Sequence, residues 1–244
     1  MGTNHRMQLM SLKQSEAKRL SIPELCRRLR RIYGSVDYPE PVPVLDELIA
    51  ALLSQNTTDA NSGAAFERLT RRFATWDQVR RARVAAIAAS IRPAGLHQQK
   101  ARRIKRILQT LETRHGTLSL EGLRTQPPRE ALAFLQSFPG VGPKTAACVL
   151  LFACRRNVLP VDTHVHRLSL RLALVPPRTS AERAHELLAR IVPARHVLEF
   201  HVLLIRHGRG VCRARQPRCP ECVLIDVCPE GLGRCSAGEF PFGT

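Results

Sequence analysis

The sequence predicts an all-α fold. Three observations carry it: apolar residues recur at three- and four-residue spacing in one run after another, strand-type alternation is nearly absent, and aromatic residues make up only 5% of the chain. Residues 1–20 are polar and read as a frayed start. IPELCRRLRRIY, 22–33, is a short amphipathic helix. The Pro-rich stretch GSVDYPEPVPV, 34–44, predicts an extended linker. Helical patterns then cover 45–54, 58–73, about 76–89, 98–113 and 129–137. PKTAACVLLFAC, 143–154, is strongly apolar and begins on Pro143, a favoured first helical residue. Further helices are predicted over 163–173, 180–191 and 197–207, before a cysteine-rich loop and a Gly-rich tail. No internal repeat or low-complexity segment interrupts the series.

A chain of 244 residues suits one large domain or two small ones around a shared cleft. Charge is the outlier: 38 basic against 20 acidic residues, a formal net charge of +18. Only five of the basic residues are lysine: Lys13, Lys18, Lys100, Lys105 and Lys144. An Arg-rich coding habit explains Arg over Lys but not the surplus, which points to a polyanionic partner, nucleic acid first. No stretch is apolar long enough to span a bilayer. The start lacks the apolar core of a signal peptide, and Arg6 departs from the myristoylation pattern. The expectation is a cytoplasmic monomer, nucleoid-associated in a bacterium or nuclear in a eukaryote. In such a reducing compartment the eight cysteines are not expected to form disulfides.

The most informative junction is FPGVGPKT, 138–145, between two helical patterns. Gly140 and Gly142 allow a sharp turn and a close backbone approach to a partner. Behind them lies a helix N-terminus with unpaired N–H groups, an anion site suited to a DNA phosphate. Two helices joined by Pro-Gly-Val-Gly form the helix–hairpin–helix pattern, which many DNA-binding proteins use without doing chemistry. Lys144 adds something to it. Arg binds phosphate at least as well, but only Lys, once neutral, is an amine nucleophile. A carboxylate stands in LPVDTHVHR, 159–167, where Asp162 follows an apolar stretch and precedes a helix. Its commonest role in such a place is an N-cap. The intervening helix of about twelve residues is roughly 18 Å long, so the sequence alone does not bring Asp162 to Lys144.

Four cysteines close the chain at Cys212, Cys219, Cys222 and Cys228, spaced C-x6-C-x2-C-x5-C. Thiolate ligation on chemistry alone admits zinc or an iron–sulfur cluster. Zinc sites more often show two C-x2-C knuckles, and one is present here.

Together these motifs resemble the endonuclease III family, the helix–hairpin–helix DNA glycosylases of base excision repair. The resemblance covers roughly residues 22–228. It implies two helical lobes around a DNA-binding cleft: a six-helix barrel over 37–156 ending in the hairpin, and an iron–sulfur lobe built from 1–36 and 157–244. It also implies one [4Fe–4S] cluster on Cys212, Cys219, Cys222 and Cys228, a nucleophile at Lys144 and an essential carboxylate at Asp162. Cys26, Cys148, Cys154 and Cys235 lie outside the motif, with Cys148 and Cys154 expected as core thiols. The implied partner is duplex DNA carrying a damaged base or an abasic site, with oxidised pyrimidines such as thymine glycol as the usual substrates. The implied activity is a glycosylase with abasic-site lyase activity.

Candidate DNA contacts are the hairpin residues Gly140, Val141, Gly142 and Thr145, together with His164. LLSQNTTD, 52–59, resembles the family loop that probes the gap left by a flipped base. Asn56 stands there where the family often has Gln, and Gln55 beside it is the expected compensation. In RPAGLHQQKA, 92–101, Leu96 stands where the family places an intercalating leucine. Ala94 is smaller than the usual residue, and Gln136 stands where some members have Glu. Arg213, Arg215 and Arg218 could reach phosphates from the cysteine loop. The departures at Asn56, Ala94 and Gln136 fall on lesion recognition and leave a weakly active or non-catalytic DNA-binding paralogue as the alternative. An adenine glycosylase of the same superfamily would lack the hairpin lysine.

Overall fold

The computed structural model describes residues 20–236; the polar start before Leu20 and the Gly-rich tail after Ser236 lie outside them. In chain order the helices among the described residues are α1 (Ile22–Tyr33), α2 (Val44–Leu53), α3 (Asp59–Arg72), α4 (Trp76–Arg81), α5 (Val84–Ser90), α6 (His97–His115), α7 (Pro128–Gln136), α8 (Pro143–Phe152), α9 (Thr163–Arg171), α10 (Ala181–Ile191), α11 (Val197–Gly210) and α12 (Pro229–Ser236). Short 3₁₀ turns join several of them, and no strand occurs among the described residues. The class is all-α. No helix among the described residues is long and apolar enough to cross a membrane.

Two expectations fail at the level of elements. The single helix predicted over 76–89 is two helices. Ala82 leaves the helical region at φ −62°, ψ 153°, and Lys105 Nζ on the neighbouring α6 donates to its carbonyl at 2.5 Å. The segment after the cysteine loop is not wholly a loose tail: Pro229 opens α12 despite the glycines at 231 and 233.

The described residues divide into two compact units, one of Tyr38–Pro160 and one of residues 20–37 together with 161–236. In the Tyr38–Pro160 unit, α2 packs on α3 and α8, α8 on α7, and α6 on α5. Leu48, Ile49, Leu52, Ile104, Leu108, Leu135, Val149 and Leu150 fill its core. Burying each such side chain contributes about 1.5–3 kcal/mol. α8 is buried from Thr145 to Leu151, which explains its nearly unbroken apolar sequence and roots the hairpin in the core.

The other unit is organised on α11, which packs on α1 and α9. Ser21 caps α1 by accepting the Glu24 N–H, and Gly34 ends it at φ 77°. Arg30 holds both oxygens of Glu199 on α11, at 2.5 and 2.9 Å. Arg28 forks onto Asp226 of the cysteine loop at 2.7 and 2.8 Å. These arginines of the basic run 27–31 are therefore tied within the fold.

Candidate functional site

The hairpin joins α7 to α8 through residues 137–142. Gly140 has φ 81°, a conformation that favours glycine, and a Cβ there would push aside the end of the Arg103 side chain, 2.7–2.9 Å away. A Cβ at Gly142 would meet nothing within 4 Å; that backbone faces open space, where a partner can approach. Val141 and Thr145 are buried and anchor the turn. Lys144 stands half-buried in the first turn of α8.

The loop after α2 is tied to this hairpin. Gln55 Nε2 donates to Gly140 O at 3.0 Å and to Thr145 Oγ1 at 3.1 Å. The amide of Gln55 thus ties the loop to the hairpin. Asn56 is exposed with φ 55°, a left-handed conformation in which Asn is among the least strained residues. Leu96 is 55% exposed and has φ 46°, where a leucine is genuinely strained. Ala94 is fully buried in the core, so its small size answers packing rather than a bound partner. Gln136 is exposed and donates to Leu132 O at 3.2 Å.

Glu47, on α2, is a residue the sequence reading passed over. Burial pushes its carboxyl up to about 7, and the charge of Lys144 pulls it back down. Within its own unit it is a carboxylate whose field reaches Lys144.

In the other unit, Asp162 is the N-cap of α9, its Oδ1 accepting the Val165 N–H at 2.7 Å. His164 packs on Gly208, where a Cβ would lie 2.6 Å from its Nδ1. Arg167 Nη2 reaches His164 Nδ1 at 3.1 Å and donates to the carbonyls of Gly208 and Cys212, each at 2.9 Å. Burial lowers the pKa of His164, which favours the neutral ring.

Cys212, Cys219, Cys222 and Cys228 line one cavity with Arg171, Ile225 and Gly231, and none of the eight cysteines is in a disulfide. Their sulfurs sit among donors. Arg171 Nη1 reaches Cys212 Sγ at 3.3 Å, and the Leu224 and Gly231 N–H groups point at Cys222 and Cys228 Sγ, each at 3.4 Å. His207 Nε2 is 3.4 Å from Cys222 Sγ, and Tyr33 Oη holds its Nδ1 at 3.0 Å. Burial pushes the Cys222 thiol up to about 11, so a metal binding here as thiolate must displace a proton. The donor set fits a thiolate-ligated metal group. Of the loop arginines, Arg213 donates to Gly210 O at 3.1 Å and Arg218 lies 3.7 Å from Glu221, while Arg215 is exposed. Cys148 and Cys154 are buried thiols.

Known proteins are similar to this chain in sequence and in fold. The model of the HhH-GPD superfamily base excision DNA repair protein matches residues 49–194. A putative DNA glycosylase of Arabidopsis thaliana is 41% identical over 170 residues, 70% of this chain and 58% of that protein. Endonuclease III of Thermotoga maritima is 33% identical across 88% of this chain and 93% of its own length. That of Escherichia coli K12 is 33% identical across 88% and 96%. The solved structure of a non-covalent endonuclease III–DNA complex superposes with a TM-score of 0.76 at 28% identity, covering 88% of this chain and 97% of that one. A trapped endonuclease III–DNA covalent intermediate gives the same score and identity. With a family match running through the hairpin and α9, and relatives aligned along nearly their whole length, the chain belongs to the HhH-GPD superfamily of base excision DNA repair proteins and, within it, to the endonuclease III family.

Proposed function

We propose that this chain excises oxidised pyrimidines such as thymine glycol from duplex DNA and then nicks the strand, with Lys144 as nucleophile and Asp162 as the assisting carboxylate. The family is one of DNA glycosylases with abasic-site lyase activity, and the chain is an enzyme of that class. The observation that carries the residue assignment is Lys144 in the first turn of α8, directly behind a hairpin whose Gly142 backbone is open to a partner.

Each step then follows from chemistry. The hairpin and the N-terminus of α8 hold a backbone phosphate through N–H groups. The damaged nucleotide leaves the stack, which costs a few kcal/mol; Asn56 and Leu96 fill the gap. The neutral amine of Lys144 attacks C1′ as the glycosidic bond breaks, and the base departs with the bonding electron pair. Asp162 stabilises cationic character on the sugar or takes the proton that the lysine nitrogen sheds. Opening of the sugar ring yields a Schiff base between Lys144 and C1′. Loss of a C2′ proton then expels the 3′ phosphate by β-elimination, and water hydrolyses the imine to free the lysine.

Cys212, Cys219, Cys222 and Cys228 would hold the [4Fe–4S] cluster, which when bound supplies a cross-link to a loop with little apolar core. Among the described residues, Cys26, His196 and Glu199 also bring ligand atoms within 4.8 Å of one another. Glu199 itself is taken up by Arg30. Iron and sulfide analysis should return four of each per chain; one zinc per chain would refute the assignment.

A nicking assay on a thymine glycol duplex tests the catalytic reading. The native protein should cut, and Lys144→Gln should lose at least about 10³-fold of the rate. Asp162→Asn keeps an N-cap of similar quality, so a large loss of rate there reports the missing charge. Native rates in either variant would contradict the assignment.

A further inference from the structure

Lys100 is one of the largest fully buried side chains, 2% exposed. Its Nζ donates to three backbone carbonyls: Leu53 O and Gln55 O at 2.7 Å and Ala94 O at 2.8 Å. Burial and the charge of Arg103 both disfavour its ammonium, and every donor is spent on main chain. Such a group is expensive to keep, so what it joins matters. Leu53 and Gln55 lead into Asn56, and Ala94 lies two residues before Leu96. The same residue thus holds the stems of two loops whose tips, Asn56 and Leu96, both sit in left-handed conformations at φ 55° and 46°. Strain of this kind persists only where the surroundings fix it. Gln55 extends the connection to the hairpin through Gly140 O and Thr145 Oγ1.

We infer that Lys100 is a positioning residue that fixes the Asn56 and Leu96 loops to one another, so that both tips enter the damaged duplex as one rigid unit. The inference rests on the reading that these two residues enter the duplex. The geometry also explains why lysine stands here in an arginine-rich chain. Three carbonyls converge on a point, which suits an ammonium with three tetrahedral donors; a planar guanidinium fork cannot direct its N–H groups that way. Lys100 touches no DNA in this account and acts only through the loops it joins.

The test is a double-mutant cycle on the full chain, read by fluorescence anisotropy. Two duplexes are used: one with a tetrahydrofuran abasic analogue, and the same sequence undamaged. The readout is the dissociation constant for the undamaged duplex divided by that for the abasic one. Leu96→Ala and Lys100→Met should each reduce this ratio by about tenfold. The double variant should be within about twofold of the worse single, because the second change removes nothing that still functions. A Lys100→Met ratio equal to the native one, or a double-variant loss equal to the product of the two singles, would overturn the inference. A native ratio in Leu96→Ala would instead remove the insertion reading beneath it. Should Lys100→Met fail to fold, Lys100→Gln keeps an N–H donor on a shorter side chain and carries the same cycle. Hydrogen exchange adds a readout that a purely structural role would not give. Amides at 55–57 and 94–97 should speed up together while those of α8 keep the native rate. Loosening of α8 to the same extent would also count against the inference.

Discussion

Glu47 is a half-buried carboxyl whose protonation bears on stability. Its folded pKa of about 7 lies above the ordinary 4.5 because burial penalises the charge. The folded state therefore binds more protons than the unfolded chain between these two values, and stability falls as pH rises through that window. Above about pH 7 the penalty is fully present; below about pH 4.5 it is gone. Glu47→Gln should stabilise the protein by on the order of 2 kcal/mol at pH 8 and by almost nothing at pH 4.5, as measured by chemical denaturation. A stabilisation independent of pH would place its cause elsewhere. Glu47 was not legible in the sequence, where it is one of two acids opening an ordinary amphipathic helix. Lys144 stands out in the sequence because lysine is rare here and this one follows a glycine turn. The same rarity marks Lys100 and Lys105, but their acceptors are backbone carbonyls, which no side-chain pattern announces. Asp162 was legible as an N-cap, and the structure gives it that hydrogen bond.

At the scale of elements, the hairpin turns on Gly140. Its φ of 81° is strained for any residue with a Cβ, while the end of the Arg103 side chain, 2.7 Å from a would-be Cβ, can move aside. Gly140→Ala should cost about 1–3 kcal/mol and weaken binding to every duplex, damaged or not, since the hairpin contacts phosphate rather than bases. Gly142→Ala, with open space around the new methyl, should unfold at the native midpoint. Equal stability losses in the two variants would refute the geometric distinction. Most helices were legible because a 3.6-residue apolar period survives in each. The break between α4 and α5 was not, since Ala82 and Arg83 carry no breaker signal; Lys105 on α6 donates to the freed Ala82 carbonyl. α12 was obscured by its glycines, yet it supplies the Gly231 N–H aimed at Cys228 Sγ.

For the whole molecule, the net charge of +18 announced a polyanionic partner without saying which cations would meet it. Several are paired with acids at the surface: Arg28 and Arg30 on acids of their own unit, and Arg80 and Arg81 on Asp77. Others, Arg102, Arg106 and Arg215 among them, stay exposed, and their field draws DNA from a distance. That allocation depends on tertiary partners and could not be read from composition. Lys144 and Asp162 belong to different units, so their joint action on one nucleotide is a claim about function. Borohydride trapping tests it most directly: the native protein and Lys144→Gln are incubated with duplexes bearing an abasic site or thymine glycol, and any adduct is mapped by peptide mass spectrometry. The account predicts a covalent adduct with native protein on both duplexes, carried on Lys144, and none with the variant. An adduct on another residue, or the absence of one from native protein that binds both duplexes, would contradict it.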